Sequence, residues 1–447
     1  MRSTSVFLRL ALVALTALVF GPPPCAAGPT WPQWRGPEGQ GIADETELPT
    51  EWSPTTNVLW STPVPGRGFS SPIVWNTFVF LTTAIEGEVI PGAGPVKHML
   101  EGEAFVHPDA VPGDRRQILK VMALDAETGR VLWERVAYDG PTFDARHKQG
   151  SFANTTPATD GRLVYAWFGS EGLYAYDFSG RLKWKKSLGK IPTLGLGTAS
   201  SPVLYENLLI LQCDEDEGAR SFIVALDKRN GKEVWRTPRK VQASWSSPVI
   251  ARGTTTTELV ASGSEFVIAY DPRTGKELWR VLGTGGWTVP TPIVAHDIVV
   301  ASAASPKKRA VAVRLGSRGD VTGTRQVAWE RDRGTGYTPS SIAYGDYAYI
   351  LTDAGLLTCV DIRTGAVQYE GVRPPKPARF SSSPIAFDGK LLISDEQGDT
   401  YVIAAGPKYE LLRTNSLDEP IQASPAAANG RLFIRTATRL YSIGRTR

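Results

Sequence analysis

The chain has 447 residues, 42% of them hydrophobic, and a formal net charge of +4. This composition supplies enough apolar residues for a large core and so excludes a disordered chain, and the small net charge without long runs of Lys and Arg excludes a nucleic-acid-binding surface. The 44 Gly and 33 Pro residues exceed average usage and indicate many turns between short strands.

The first 27 residues have the layout of an export signal. Arg2 and Arg9 lie on the N-terminal side of an apolar run that ends at Phe20, and small residues at 25–27 provide a cleavage site before Gly28. The run is too short for a membrane span, and residues 22–24, all Pro, disfavour lipid attachment at Cys25. We therefore predict a signal peptide over 1–27, a mature protein over 28–447 that is soluble and monomeric after cleavage, and a periplasmic or secreted location.

A repeat of about 41 to 49 residues runs through the rest of the chain, the period expected for propeller blades of four strands. Each repeat opens with a Ser or Thr that leads into an apolar strand, usually through Pro. The openings are Ser71-Pro72, Thr156-Pro157, Ser201-Pro202, Ser247-Pro248, Thr291-Pro292, Ser340-Ser341, Ser383-Pro384 and Ser424-Pro425. These eight openings predict an all-β fold, an eight-bladed propeller of four-stranded antiparallel blades.

A second motif marks the turn between the outer two strands of a blade. It reads Ala-x-Asp-x-x-Thr-Gly-x-x-x-Trp at 123–133 and recurs in later blades. The Asp side chain is placed to bind turn amides, the Gly to adopt a left-handed conformation, and the Trp to pack against the adjacent blade. The predicted docking tryptophans are Trp60, Trp133, Trp184, Trp235, Trp279 and Trp329.

Three further segments carry predictions. The last repeat lacks its outermost strand, and residues 57–60 resemble that strand, so we expect an N-terminal strand to close the ring. An insertion in blade 1 at about 85–117 contains His98 and His107 among acidic residues, which leaves a metal site open but favours a solvated loop. The acidic run 214–217 is expected to be a charged turn, with a calcium site as the alternative.

The repeats and the turn motif resemble those of the pyrroloquinoline-quinone-like propeller family over essentially the whole mature chain. Residues 31–37 and 147–157 also resemble single-propeller exported members from planctomycetes and related bacteria. The resemblance implies one of two functions. Some members are quinone-dependent dehydrogenases, and others are non-catalytic, such as the envelope lipoprotein that assists outer-membrane protein assembly.

The dehydrogenases of this family use a calcium ion held by carboxylate and amide oxygens, a buried Asp base and a pair of adjacent cysteines. This chain has no Cys-Cys pair, and no calcium-binding set can be assigned residue by residue. No nucleophile elbow, P-loop or zinc-protease motif is present either. We expect no catalytic residues, no metal and no cofactor, with a quinone-dependent alcohol or sugar oxidoreductase as the alternative.

The segments that lead into the inner strands are rich in aromatic and polar residues. Because inner strands converge on the axis of a propeller, these segments should surround one mouth of a central channel. We predict a binding funnel there for an envelope protein, a peptide or a glycan, with packing around the narrow axis as the alternative role of its aromatic residues. The predicted funnel residues are His147, Lys148, Phe152, Asn154, Trp245, Trp287, Tyr337, Arg379 and Phe380.

Overall fold

Eight antiparallel sheets of four strands each, one of them extended by a short fifth strand, follow one another around a central axis in a computed structural model that describes residues 30–93 and 96–445. Blades 1 to 4 comprise Ile73–Trp75, Phe78–Val89, Arg115–Asp125 and Val131–Pro141; Ala158–Thr159, Leu163–Trp167, Leu173–Asp177 and Leu182–Lys186; Val203–Tyr205, Leu208–Cys213, Phe222–Asp227 and Glu233–Pro238; and Val249–Arg252, Thr257–Ser262, Phe266–Tyr270 and Glu277–Leu282. The predicted signal peptide lies outside the described residues.

Blades 5 to 8 continue the same order from inner to outer strand. They comprise Ile293–Ala295, Ile298–Ala303, Arg309–Arg314 and Val327–Arg331; Ile342–Tyr344, Tyr347–Leu351, Leu357–Asp361 and Val367–Val372; Ile385–Phe387, Lys390–Ser394, Asp399–Ala404 and Leu411–Ser416; and Ala426–Ala428, Arg431–Arg435, Arg439–Ile443 and Val58–Pro63. A short 3₁₀ helix spans Gly169–Glu171, and no helix in the described ranges is long and apolar enough to cross a membrane. The predicted eight-bladed fold is confirmed.

Closure of the ring also follows the prediction. Val58–Pro63 pairs antiparallel with Arg439–Ile443 and becomes the outermost strand of the last blade. The first and last parts of the chain therefore share one sheet, which leaves no open seam between blades 8 and 1 and gives the last blade the same strand count as the others.

Five tryptophans on outer strands pack onto the turn of the next blade. The indole N–H groups of Trp60, Trp133, Trp184, Trp235 and Trp329 donate to the carbonyls of Ala126, Phe178, Lys228, Pro272 and Ile362 at 2.8–3.2 Å. Close approach requires the turn glycine: Gly275 has φ +71°, and a Cβ there would lie 2.4 Å from the Trp235 ring. These contacts join neighbouring blades.

Trp279 is held differently, because the turn of blade 5 lacks the motif and is longer. Gly319–Asp320 in that turn adds a short parallel strand beside Trp279. The indole is fully buried and donates to the buried carboxylate of Glu258 at 2.7 Å, and Glu258 also accepts the amide of Gly316. The sequence motif alone does not reveal this arrangement.

Candidate functional site: a closed channel on the propeller axis

Residues 30–43, here called the strap, lie against the inner strands at the end away from the loops that lead into them. The strap bonds to blade after blade: Trp31 pairs with Val74, Pro32 with Thr159, Gln33 with Leu204, Gln40 with Val294, Arg35 with Ser341 and Ala43 with Ala386. Trp34 lies on the axis, and its indole donates to the hydroxyl of Thr291 at 2.9 Å. The strap therefore closes this end of the channel.

A ring of hydroxyl groups lies next to Trp34. It is formed by the first Ser or Thr of each blade: Ser71, Thr156, Ser201, Ser247, Thr291, Ser340, Ser383 and Ser424. Around the ring, each amide donates to the hydroxyl oxygen of the next blade at 2.9–3.0 Å, except between blades 4 and 5, where Thr291 accepts from Trp34 instead.

The ring hydroxyls keep their own protons available. Within the described part of the chain none of the eight donates a hydrogen bond, although each accepts one. Seven of them, all but Ser71, line the cavity above Trp34. Since a hydroxyl carries one donor and two acceptor positions, the ring presents a set of O–H donors to any molecule that enters the cavity.

The cavity above the hydroxyl ring, here called the cup, has a volume of about 270 Å³. Its aromatic lining is Trp34, Phe69, Trp245 and Tyr337, and its polar lining beyond the ring includes His147, Gln149, Asn154, Thr338, Arg379, Ser381 and Gln422. No Asp or Glu is among the described residues that line it. The cup is thus a pit of aromatic faces and polar groups, with Arg379 as the one permanently charged side chain of its described lining, open at one mouth.

Several polar groups of the cup have no partner in the described structure. The side-chain amides of Gln149 and Gln422 and the hydroxyls of Tyr337 and Thr338 make no hydrogen bond there, and Asn154 uses only its oxygen, which accepts from the amide of Ser151 at 2.9 Å. Unpaired polar groups on a concave surface favour binding of a polar ligand.

The structure brings five of the predicted funnel residues to the cup and separates four from it. His147, Asn154, Trp245, Tyr337 and Arg379 line the cavity. Lys148 and Trp287 do not line it: the exposed ammonium of Lys148 lies 2.7 Å from Asp109, and the ring of Trp287 packs edge-on against Trp245. Phe152 lines a separate groove with Arg67 and Arg146.

The prediction that Phe380 belongs to the funnel is wrong. Its ring is fully buried between blades 6 and 7, and it packs on Gly355, where a Cβ would lie 2.5 Å from the ring. Because the ring fills a core position, it is inaccessible to a ligand. Its position next to the funnel residue Arg379 in sequence does not place its side chain in the cup.

The described parts of the blade-1 insertion, 85–93 and 96–117, contain paired strands, in contrast to the predicted solvated loop. Phe78–Val89 and Arg115–Asp125 extend beyond the blade, His98–Leu100 and Glu103–Phe105 form a small hairpin, and Ala110–Val111 pairs with Arg146–His147. We call residues 85–117 the arm. Its His107 ring lies 5.4 Å from that of Trp287 and 6.2 Å from that of His147, which lines the cup, so the arm packs beside the cup.

His98 anchors the arm between two carboxylates. Its Nδ1 lies 3.0 Å from Asp216 and its Nε2 3.2 Å from Asp144, and all three side chains are buried. Burial alone would lower the pKa of His98, but the two carboxylates outweigh it and raise the pKa to about 9. The imidazolium is therefore the form that holds the arm at neutral pH.

Stability should consequently fall as this imidazolium loses its proton. Because the pKa of His98 is higher in the folded than in the unfolded protein, its imidazolium stabilises the folded state. This contribution is complete below the unfolded pKa near 6.5 and is lost as the pH rises through about 9. We expect His98→Gln to lower the free energy of unfolding by roughly 2–3 kcal/mol at pH 6 and by much less at pH 9.5. Urea denaturation of both proteins at the two pH values measures this, and an equal difference at both would contradict it.

The prediction of a solvated charged turn at 214–217 is wrong, because most of this acidic run is buried. Asp214 pairs with Arg239 at 2.7 Å with both side chains fully buried, and Asp216 binds His98. Glu215 is buried and accepts the amide of Arg220, whereas Glu217 is exposed. These carboxylates are already engaged by cations and amides of the chain.

The residues around the cup do not fit a calcium-bound quinone. Such a cofactor needs carboxylate oxygens for the metal, and the described lining of the cup contains none. Nowhere in the described ranges do three or more His, Cys, Asp or Glu side chains converge in a geometry suited to a metal ion. Cys213 and Cys359 are each free and buried in different blades.

Comparisons with known proteins agree with this fold. The sequence profile described as outer membrane protein assembly factor BamB matches residues 110–220 and 219–380. No curated protein gives a significant sequence match.

Similar solved structures share the fold at low sequence identity. BamB from Moraxella catarrhalis superposes with a TM-score of 0.51 at 13% identity and covers 80% of this chain and 100% of its own. The quinohemoprotein alcohol dehydrogenase from Comamonas testosteroni has a TM-score of 0.60 at 12% identity and covers 94% of this chain and 81% of its own. A europium-containing methanol dehydrogenase has a TM-score of 0.60 at 11% identity and covers 91% of this chain and 89% of its own. Since the profile matches more than half of the chain, this protein belongs to the BamB-like family of PQQ-type propellers.

Proposed function

We propose that this protein is a non-catalytic binding module, exported to the bacterial envelope, that takes a protein, peptide or glycan partner at the cup. The observation that carries the proposal is a channel closed by Trp34 beneath a pit whose hydroxyl and amide groups keep free hydrogen-bonding positions. A closed pit holds a ligand against its floor, as a receptor site does, and the rigid inner strands fix its lining.

The chemistry of the lining supports binding rather than turnover. General acid–base catalysis needs a titratable group placed at the reacting atoms, and among the described residues that line the cup only His147 is a candidate base. That ring lies 3.4 Å from Asp109 on the side of the arm, and its pKa is lowered, first by burial. His147 therefore serves the mouth as a neutral polar side chain near pH 7.

Site-directed photo-crosslinking in intact cells tests the proposal. A photoreactive residue at position 149, on the cup, should give a discrete adduct, and one at position 234, exposed on the outer strand of blade 3, should give none. Tyr337→Ala should abolish the adduct at 149. Identical adduct patterns at both positions, or recovery of the protein only from the cytoplasm, would overturn the proposal.

A separate assay addresses quinone-dependent oxidation. Purified protein is incubated with the quinone and calcium, and dye reduction is followed with alcohols and sugars. We expect no reduction above the protein-free control. Turnover that disappears in Trp245→Ala would make the protein an oxidoreductase and refute a purely binding role.

A further inference from the structure

We propose that the ligand of the cup is the terminal unit of a neutral saccharide, an inference that rests on the proposed binding function. Its first support is the type of polar group in the lining. Gln149, Gln422 and Asn154 each carry an amide, which donates and accepts, and the ring adds O–H donors around the floor. Sugar hydroxyls also both donate and accept, so each finds a complementary group in the cup.

The charge of the cup favours a neutral ligand. Arg379 is the one permanently charged side chain among the described lining residues, and its Nε lies 3.5 Å from Glu396, which offsets its charge. The lowered pKa of His147, caused first by burial, keeps that ring neutral near pH 7. A ligand with several carboxylates would therefore lose its hydration without gaining matched cations.

The aromatic lining supplies apolar surfaces for the C–H faces of a sugar ring. Phe69 and Tyr337 are partly exposed on the wall, Trp245 lies between them around the ring of blades, and Trp34 forms the floor. The indole N–H of Trp245 donates to the carbonyl of Gly197 at 2.8 Å, which fixes the orientation of that ring. An apolar wall with a few oriented polar groups is the general form of a small-molecule site.

The closed end determines which part of a ligand enters. Trp34 and the strap block passage along the axis, so a chain can enter only by its terminus. Peptides commonly gain affinity by adding a strand to an exposed sheet edge, and the cup presents side chains rather than such an edge. The volume of about 270 Å³ suits a ligand of monosaccharide or disaccharide size.

Calorimetric titration of the mature protein tests the proposal with three sets of probes: neutral mono- and disaccharides, the corresponding uronic acids, and short peptides. We expect at least one neutral saccharide to bind more tightly than its uronic acid. Gln149→Ala and Tyr337→Ala should each raise its Kd by roughly tenfold, whereas Gln368→Ala, exposed on blade 6, should leave it unchanged. Circular dichroism and thermal melting of each variant verify the fold.

The outcomes distinguish this inference from the function on which it rests. Binding of a peptide or a uronic acid in preference to every neutral saccharide, weakened by Gln149→Ala, would overturn the saccharide assignment and leave the binding function standing. If no probe binds while the photo-crosslink at position 149 persists, the saccharide assignment is likewise wrong. Quinone-dependent turnover would refute both the saccharide assignment and the purely binding function.

Discussion

Arg239→Met should lower the free energy of unfolding by about 3–5 kcal/mol, because it leaves the carboxylate of Asp214 buried without its cation. The two side chains are fully buried, 2.7 Å apart, and the guanidinium also donates to the hydroxyl of Tyr270 and the carbonyl of Ser262. Burial already raises the pKa of Asp214, and the loss of Arg239 would raise it further. The displacement of the urea midpoint measures the effect.

Two further variants separate the buried pair from general loss of charge. Arg273→Ala removes an exposed pair with Glu206 that water and salt screen, so it should displace the urea midpoint far less. Asp214→Asn combined with Arg239→Met removes both charges and should restore part of the loss. If Arg239→Met were as mild as Arg273→Ala, Asp214 would have to be neutral in the folded protein already.

Arg239→Met should also affect the cup, because Asp214 supports the segment that carries one of its lining residues. Its Oδ2 accepts from the hydroxyl of Ser244 at 2.5 Å and from the amide of Gln212 at 2.7 Å, and Ser244 directly precedes Trp245. A protonated or displaced Asp214 would loosen this segment. The buried Asp214–Arg239 pair therefore contributes both to the stability of blades 3 and 4 and to the shape of the binding site.

Local turn chemistry explains why the sequence predicted the blades. In blade 1, Asp125 accepts from the amides of Glu127 and Thr128 and Gly129 has positive φ, all within a few positions. Such short-range determinants are legible in a single sequence and repeat with the blade period. The closing strand was predictable for the same reason, since it restores a missing unit of the repeat.

The site was less predictable, because its determinants pair residues that are far apart in the chain. His98 binds Asp216 across 118 positions, so neither the folded structure of the arm nor the burial of the acidic run could be recognised from the sequence. The Ser or Thr that opens each blade was visible, yet its partner is an amide one blade away. Trp34 lies 257 positions from Thr291, and nothing in the local sequence indicates that it closes a channel.

In the strap, Trp31→Ala should lower the free energy of unfolding by about 3–5 kcal/mol. The Trp31 side chain is 1% exposed, its backbone pairs with Val74 in both directions at 2.9 Å, and its ring packs on Gly36. Gly36 has φ +81°, and a Cβ there would lie 2.9 Å from the indole. The ring thus fixes the bend that directs the strap across the axis.

Loss of this indole should also open the floor of the cup, since Trp34 reaches Thr291 only while the strap is seated. We expect limited proteolysis to cleave Trp31→Ala within residues 30–43 before the blades, and ligand binding at the cup to weaken with it. Val234→Ala, at an exposed position on blade 3, should change stability by less than about 0.5 kcal/mol and leave the strap protected. A Trp31→Ala protein with an unchanged urea midpoint and an intact strap would show that the polar bonds of Gln33, Arg35 and Gln40 hold the channel closed without it.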